Sequence, residues 1–231
     1  MKTMLVTGAG SGLGYELAKA HAEQGYEVFA LDVAVSDKLK SLAAQYPDAI
    51  TILECDIGST ESVEKAMDTV KAKIKKLDRL FNNAGIHRFD DWVTLDETDV
   101  DFFNTYLNIN AVGPMRVAKA ALPLLQDGSI LIHTSSEAGS VAGTEGIIGY
   151  GYSMSKSAFN MGAKILDNWL KDKGIRTLLI HPGRMRTAMQ GAHSNIDPDE
   201  TALGLMALAE NIDSIPKTDL FMDYKGVLYP W

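Results

Sequence analysis

Thr7-Gly8-Ala9-Gly10-Ser11-Gly12-Leu13-Gly14 is the stretch on which the reading of this 231-residue chain turns. It follows the short, mostly apolar run Thr3-Met4-Leu5-Val6-Thr7 and opens into a helical pattern over 13–24. A backbone that turns sharply from strand to helix, and admits a charged group close to it, needs glycine there. The helix start then offers unpaired N–H groups and a favourable dipole, which suits a pyrophosphate. The spacing is G-x-x-x-G-x-G, not the G-x-G-x-x-G dinucleotide fingerprint, and the lysine of a P-loop is missing. In a chain with 20 glycines such a run can be a plain structural turn. Its place after the first strand and before an amphipathic helix favours the nucleotide cradle.

Outward from this loop, strand-like and helix-like patterns alternate to the end of the chain. Strands are expected at 27–31, 50–54, 77–81, 129–133 and 176–180, with a further one near 220–222. Between them, helices are expected at 37–45, at 98–125, at 152–171 and at 199–210. Val63, Ala66, Met67, Val70 and Ile74 recur at three- and four-residue steps and mark another, which Gly58-Ser59-Thr60 starts. In the 152–171 helix, Ala158, Gly162, Ile165, Leu166 and Trp169 share one apolar face, and Met115, Met161 and Met206 read as core fillers. Such alternation predicts an α/β fold: one doubly wound, Rossmann-like parallel sheet with helices on both faces. No linker or composition break divides it, so residues 1–231 read as one domain.

Bulk properties exclude several partners. A net charge of -8 leaves no basic footprint for nucleic acid or an anionic membrane, and no apolar run reaches membrane-span length. Cys55 is the single cysteine and reads as buried and inert; with no signal segment before the first strand, a cytoplasmic protein is expected. The five histidines show no metal spacing, so no metal is expected.

Asp32 ends the second strand, 18 residues beyond Gly14. A carboxylate there can accept both ribose hydroxyls of an adenosine and repels a 2′-phosphate, and no Arg or Lys lies between Gly8 and Gly14 or at Val33 to Val35 to neutralise one. NAD(H) is therefore favoured over NADP(H). Tyr152 and Lys156, in Tyr152-Ser153-Met154-Ser155-Lys156, sit one helical turn apart. A neighbouring ammonium, helped by an oxidised nicotinamide, is expected to lower a phenol from its ordinary ~10 by about 2–3 pH units, into the range of a useful general acid/base.

Taken together, the ordered motifs resemble the short-chain dehydrogenase/reductase family over nearly the whole chain. The matches are Thr7 to Gly14; Asn82-Asn83-Ala84-Gly85; Asn110 in Asn108-Ile109-Asn110-Ala111; Ser135-Ser136-Glu137-Ala138-Gly139; Tyr152 with Lys156; and Pro182-Gly183-Arg184-Met185-Arg186-Thr187. The resemblance implies an oxidoreductase that moves a hydride reversibly between a nicotinamide and an alcohol or carbonyl compound. In that reading Tyr152 transfers the proton, Ser136 bonds the substrate oxygen, Lys156 activates Tyr152 and holds the nicotinamide ribose, and Asn110 anchors a water relay. Gly8, Ser11, Gly12, Leu13 and Gly14 would cradle the pyrophosphate, Asp56 and Ile57 would meet the adenine, and Asn83, Ala84 and Gly85 its ribose. Pro182, Gly183 and Thr187 would face the nicotinamide. The resemblance also implies a homodimer or homotetramer packed through the helices at 98–125 and 152–171.

Two departures leave questions open. Ser136 and Tyr152 stand 16 residues apart, about three more than is common in the family, because of an extra loop at 144–149; Ser135 stays an alternative to Ser136. The substrate loop, about 188–198, is short, which implies a small or open pocket. The ending resembles small carbonyl-reductase-like members. His87, Arg88 and Phe89 read as a solvated loop, with substrate contact as the alternative. Arg184 and Arg186 read as exposed surface. A non-catalytic NAD sensor of the same fold is the rival reading; a sugar-nucleotide epimerase would want a longer C-terminal part.

Overall fold

The strands are β1 (Thr3–Thr7), β2 (Glu27–Asp32), β3 (Ile50–Glu54), β4 (Arg79–Asn82), β5 (Ile130–Thr134), β6 (Arg176–His181) and β7 (Phe221–Asp223). The structure is a computed structural model, and it describes residues 1–187, 189 and 194–231. Among these, the seven strands pair in parallel in one sheet of order β3-β2-β1-β4-β5-β6-β7. Parallel neighbours need crossovers, and the crossovers here are helical. α1 (Gly12–Glu23), α2 (Asp37–Gln45) and α7 (Pro198–Glu210) pack on one face, with Met4, Val6, Val28 and Ala30 beneath them. α3 (Thr60–Lys73), α5 (Gly113–Ala121) and α6 (Tyr150–Leu170) cover the other, over Leu5, Phe29 and Leu31. The alternation Met4, Leu5, Val6 thus splits one strand between two cores, and the expected doubly wound α/β fold is the one adopted.

The strand order reverses between β1 and β4, which pair in parallel with each other. The connections leaving their carboxyl ends part there and open a crevice. Thr7 ties the two rims together. Its hydroxyl accepts from the Asn83 and Ala84 amides at 3.0 Å each, and Asn83 Nδ2 donates to the Thr7 carbonyl at 3.0 Å.

Two sequence expectations change. The stretch 98–125 is not one regular helix: short 3-10 turns flank α4 (Phe103–Tyr106) and α5, and a π-helical segment, Leu107–Val112, joins them. Pro114 supplies the reason, since it has no N–H to return to the carbonyl four residues back, and the turn widens instead. On α6 the expected face is the outer one. Ser155, Phe159, Ala163 and Leu170 are buried against the sheet, while Ile165 and Trp169 are 61% and 54% exposed, as is Met161, which is no core filler. Both stripes have helical spacing; the sheet takes the one that also carries Lys156 and Asn160 inward. No helix of the described residues is long and apolar enough to cross a membrane.

Candidate active site

A cleft of about 1330 Å³ runs along the carboxyl ends of the strands. From the predicted set, Gly8, Ser11, Gly12, Leu13 and Asp32 line one end of it, with Asp56, Ile57, Asn83, Ala84 and Gly85. Ser136, Tyr152, Lys156, Pro182, Gly183 and Thr187 line it as well. Gly14 and Asn110 stand behind the surface. Gly14 packs so closely under the loop that a first side-chain carbon would fall 2.1 Å from the Gly8 carbonyl oxygen, which is why only glycine fits. Gly8 itself turns at φ 70°, in the left-handed region. Ser11 precedes α1 in an extended conformation without capping it, and the first turn of α1 carries no acidic side chain. The helix start is thus left to an anion.

Asp32 has a task the sequence did not disclose. Its Oδ2 accepts from the Gly10 amide at 2.7 Å and its Oδ1 from the Ala34 amide at 3.1 Å, so the carboxylate also props the glycine loop. Ser36 adds a second tie, donating to the Gly10 carbonyl at 2.7 Å.

At the other end, α6 brings Tyr152 and Lys156 to the cleft. Lys156 Nζ donates to the Thr134 carbonyl at 2.9 Å and lies 5.8 Å from the centre of the Tyr152 ring. Ser136 lines the cleft with Tyr152, and its hydroxyl, which accepts from the Ala138 amide at 3.2 Å, favours the ionised phenol. Ser135 turns the other way, donating to Asn160 Oδ1 at 2.5 Å. The neighbouring serines are therefore divided: one faces the cleft, one is bound into α6. Asn110, carried inward by the π-helical segment, holds the backbone of Ile86 from both sides. The Ile86 amide donates to Asn110 Oδ1 at 2.8 Å, and Asn110 Nδ2 donates to the Ile86 carbonyl at 3.0 Å and to Ser155 Oγ at 3.1 Å. π-helical turns often mark functional positions, and Pro114 within the expected helix was the signal for this one.

Burial dominates the electrostatics of the pair. Burial pushes the Tyr152 phenol up, to about 12, with Glu137 acting in the same direction and the Ser136 hydrogen bond opposing. Burial draws Lys156 down to about 8. Burial dominates the phenol here, and the expected depression belongs to the state with an oxidised nicotinamide bound.

His87 is also placed differently from the solvated-loop reading. It lines the cleft, half-buried, with its ring edge-on to Tyr152 at 4.9 Å between centres. Trp92 and Tyr106, each 6.2 Å from the Tyr152 ring, went unread in the sequence. They lie 60 and 46 residues upstream of Tyr152, and nothing in their spacing announced the contact. Arg184 and Arg186 are exposed but paired, with Glu137 at 3.0 Å and Asp197 at 2.7 Å. Of the substrate loop expected at 188–198, residues 188 and 190–193 lie outside the described residues. Ile196 returns against Met185, and Thr187 and Met189 line the cleft. Among the described residues no group of three or more His, Cys, Asp or Glu stands together as a metal site. Cys55 is buried, and its thiol is pushed up to about 11.

A parallel sheet with a glycine cradle at its switch point, and a serine, tyrosine and lysine at the far end of the same cleft, define a nucleotide-type oxidoreductase architecture. A profile described as short chain dehydrogenase matches residues 2–197, and the chain belongs to that family of oxidoreductases. Among its relatives is a 1-hydroxy-2-glutathionyl-2-methyl-3-butene dehydrogenase of Rhodococcus, 30% identical, with each chain covered in full. Among solved structures, a short-chain dehydrogenase/reductase from Burkholderia multivorans with bound NADP superposes with a TM-score of 0.88 at 28% identity, covering 100% of this chain and 99% of that one. An NADPH-bound carbonyl reductase from chicken fatty liver gives 0.86 at 25% identity, with the same coverage.

Proposed function

We propose that this oxidoreductase interconverts an alcohol and a carbonyl compound with a nicotinamide dinucleotide, using Tyr152 as general acid/base. The observation that supports the reading is that Ser136, Tyr152 and Lys156 line one end of a cleft whose other end is the glycine cradle. The residues fit the group: the cleft of about 1330 Å³ joins the glycine loop to Tyr152 and Lys156, the first turn of α1 carries no carboxylate, and Asp32 lines the cleft beside the glycine loop. When bound, the nicotinamide supplies or takes up the hydride at its C4.

The chain's own residues then do the following. Gly8, Ser11, Gly12, Leu13 and Gly14 receive the pyrophosphate; Asp56 and Ile57 border the adenine; Asn83, Ala84 and Gly85 border its ribose. Pro182, Gly183 and Thr187 face the nicotinamide end. Ser136 donates to the substrate oxygen. Tyr152, which holds its proton well above neutral pH, gives that proton to the oxygen as the carbonyl becomes an alcohol, and recovers it in the reverse direction. Lys156 places its positive charge beside the phenol and the nicotinamide ribose, and Asn110 holds Ile86 and Ser155 so that a water chain can reach Lys156. The relatives' names, a dehydrogenase and a carbonyl reductase, describe the two directions of such a reaction.

Two solved relatives carry NADP or NADPH. In this chain NAD(H) is the better fit, because Asp32 lines the cleft and, among the described residues, no Arg or Lys lines it beside the glycine loop. We further infer one domain acting as a cytoplasmic homodimer or homotetramer. Exposed Met161, Ile165 and Trp169 on α6 support the oligomer, since apolar stripes of this kind are normally covered. The lone, buried Cys55 supports a reducing compartment.

The test is a panel of alcohols and carbonyl compounds assayed by NADH and NADPH absorbance, run beside Tyr152→Phe. Loss of general acid/base action is expected to lower kcat by ~10²–10⁴-fold. A Phe variant as active as the parent sinks the mechanism. Tight NAD(H) binding with no turnover across the panel would favour the sensor reading instead.

A further inference from the structure

Three aromatic side chains stand at the substrate end of the cleft on a loop that leaves β4, and their arrangement speaks to the class of compound the cleft receives. His87, Phe89 and Trp92 all line it with Tyr152. The His87 ring meets those of Tyr152, Phe89 and Trp92 at centre distances of 4.9, 5.3 and 5.2 Å and interplanar angles of 81°, 89° and 70°. Edge-on packing of this kind is a geometry in which aromatic groups attract one another, and a guest ring can join it. Phe89 and Trp92 nevertheless remain 55% and 43% exposed, so much apolar area at the cleft mouth is left for a guest to cover.

The loop is not loose. Ile86, before His87, is held on both its amide and its carbonyl by Asn110, and the Arg88 amide, after it, donates to the Tyr106 hydroxyl at 2.9 Å. Tyr106 is itself buried and donates to Asp91 at 2.8 Å, while the Arg88 guanidinium spans to Asp90 at 2.6 Å. Trp92 rests on the backbone of Gly149, where a first side-chain carbon would come within 2.5 Å of the indole, so the wall is seated on the start of α6 as well. Rings held this way lose little freedom when a ligand arrives. Charge does not compete for the space: Glu137 and Arg184 neutralise each other at 3.0 Å, and Glu145 is exposed to solvent. Tyr229 and Pro230 add apolar lining from the end of the chain.

We propose that His87, Phe89 and Trp92 form an aromatic wall that selects flat, apolar carbonyl compounds or their alcohols, aryl aldehydes and aryl ketones above all, over small polar ones. The proposal rests on the reading of the cleft as a carbonyl-reducing site and names the substrate class for it. The hydride and proton balance is unchanged: hydride to the carbonyl carbon from the reduced nicotinamide, proton to the oxygen from Tyr152.

The experiment compares benzaldehyde and acetophenone with acetone and hydroxyacetone as substrates of the whole chain, with NADH and with NADPH. The parent is expected to favour the aryl compounds in kcat/KM. Phe89→Ala, a truncation at an exposed position, and His87→Ala are each expected to lower the aryl-to-acetone ratio about tenfold, the upper range for one aromatic pair. Fluorescence titration with NADH reports that each variant is folded and still binds the cofactor. Turnover of acetone or hydroxyacetone as fast as the aryl compounds, or an unchanged ratio in both variants, overturns this inference while leaving the oxidoreductase reading intact. Cofactor binding with no carbonyl reduced at all overturns both.

Discussion

Arg79 is buried at the amino end of the central strand β4, with no ion pair to a carboxylate among the described residues, and the group it leans on is a histidine. Its Nη1 lies 3.1 Å from His21 Nε2, while His21 Nδ1 lies 2.8 Å from the Leu17 carbonyl. A carbonyl can only accept and a guanidinium can only donate, so the two neighbours dictate one tautomer: neutral, with the proton on Nδ1. Burial draws His21 down from the ordinary 6.5 to about 4, and the Arg79 charge acts in the same direction. The folded chain therefore refuses a proton that the unfolded chain accepts below pH 6.5. This site's contribution to stability is whole above that value and is lost as the pH falls toward 4, amounting to about 3 kcal/mol over the full window. Between about pH 7.5 and pH 5.5 the loss is about 1.3 kcal/mol, a noticeable part of the ~5–15 kcal/mol typical of a domain. The perturbation is His21→Gln, whose amide oxygen still accepts from Arg79 but cannot titrate. Urea unfolding of both proteins across that range, above the pI of about 5.1, isolates the site by difference. The variant is expected to be less stable at pH 7.5, having lost ring contacts with Tyr26 and Phe81, yet to lose about 1.3 kcal/mol less than the parent on acidification. Parallel losses in the two proteins, or a His21 NMR signal that titrates near 6.5 in the folded state, would refute the reasoning.

Other consequences can be checked directly. Ser136→Ala is expected to lower kcat by ~10²-fold or more, as removal of a donor to a reacting oxygen does elsewhere, whereas Ser135→Ala, which only breaks the bond to Asn160, should chiefly lower the melting temperature; equal kinetic losses would reverse the division of the two serines. Asp32→Asn keeps an acceptor for the Gly10 amide and removes the charge, so the preference for NADH over NADPH in kcat/KM should narrow by about tenfold or more; an unchanged ratio would show that Asp32 serves the loop alone. Ile165→Glu on the outer face of α6 should shift the mass measured by light scattering toward the monomer with the fold retained by circular dichroism, and a parent that is already monomeric would retire the proposed oligomer.

The order of elements was readable because it rests on local chemistry. Thr7 to Gly14 combine glycine's conformational range with a strand before and a helix after, and Asp37–Gln45 and Ile50–Glu54 follow from spacing and end signals alone. The residues gathered at the cleft were legible for a related reason: each motif sits at the carboxyl end of a strand or on the helix that follows, and a parallel sheet brings all such ends to one side.

Tertiary structure decided what depends on surroundings. Two stripes of α6 have the same helical period, and only the sheet's demand for Phe159 and Ala163, with Lys156 turned inward, settled which is buried. Whether Tyr152 is a poised base or a held acid could not be read from its distance in sequence to Lys156, because the depth of burial and the Thr134 carbonyl that engages the ammonium come from other strands. The aromatic wall over Tyr152 joins residues far apart along the chain, through contacts made only once β4, the π-helical turn and α6 have met. Spacing along a chain encodes periodicity and turn chemistry; desolvation and side-chain contact are properties of the assembled volume, and those set the charge and shape of this site.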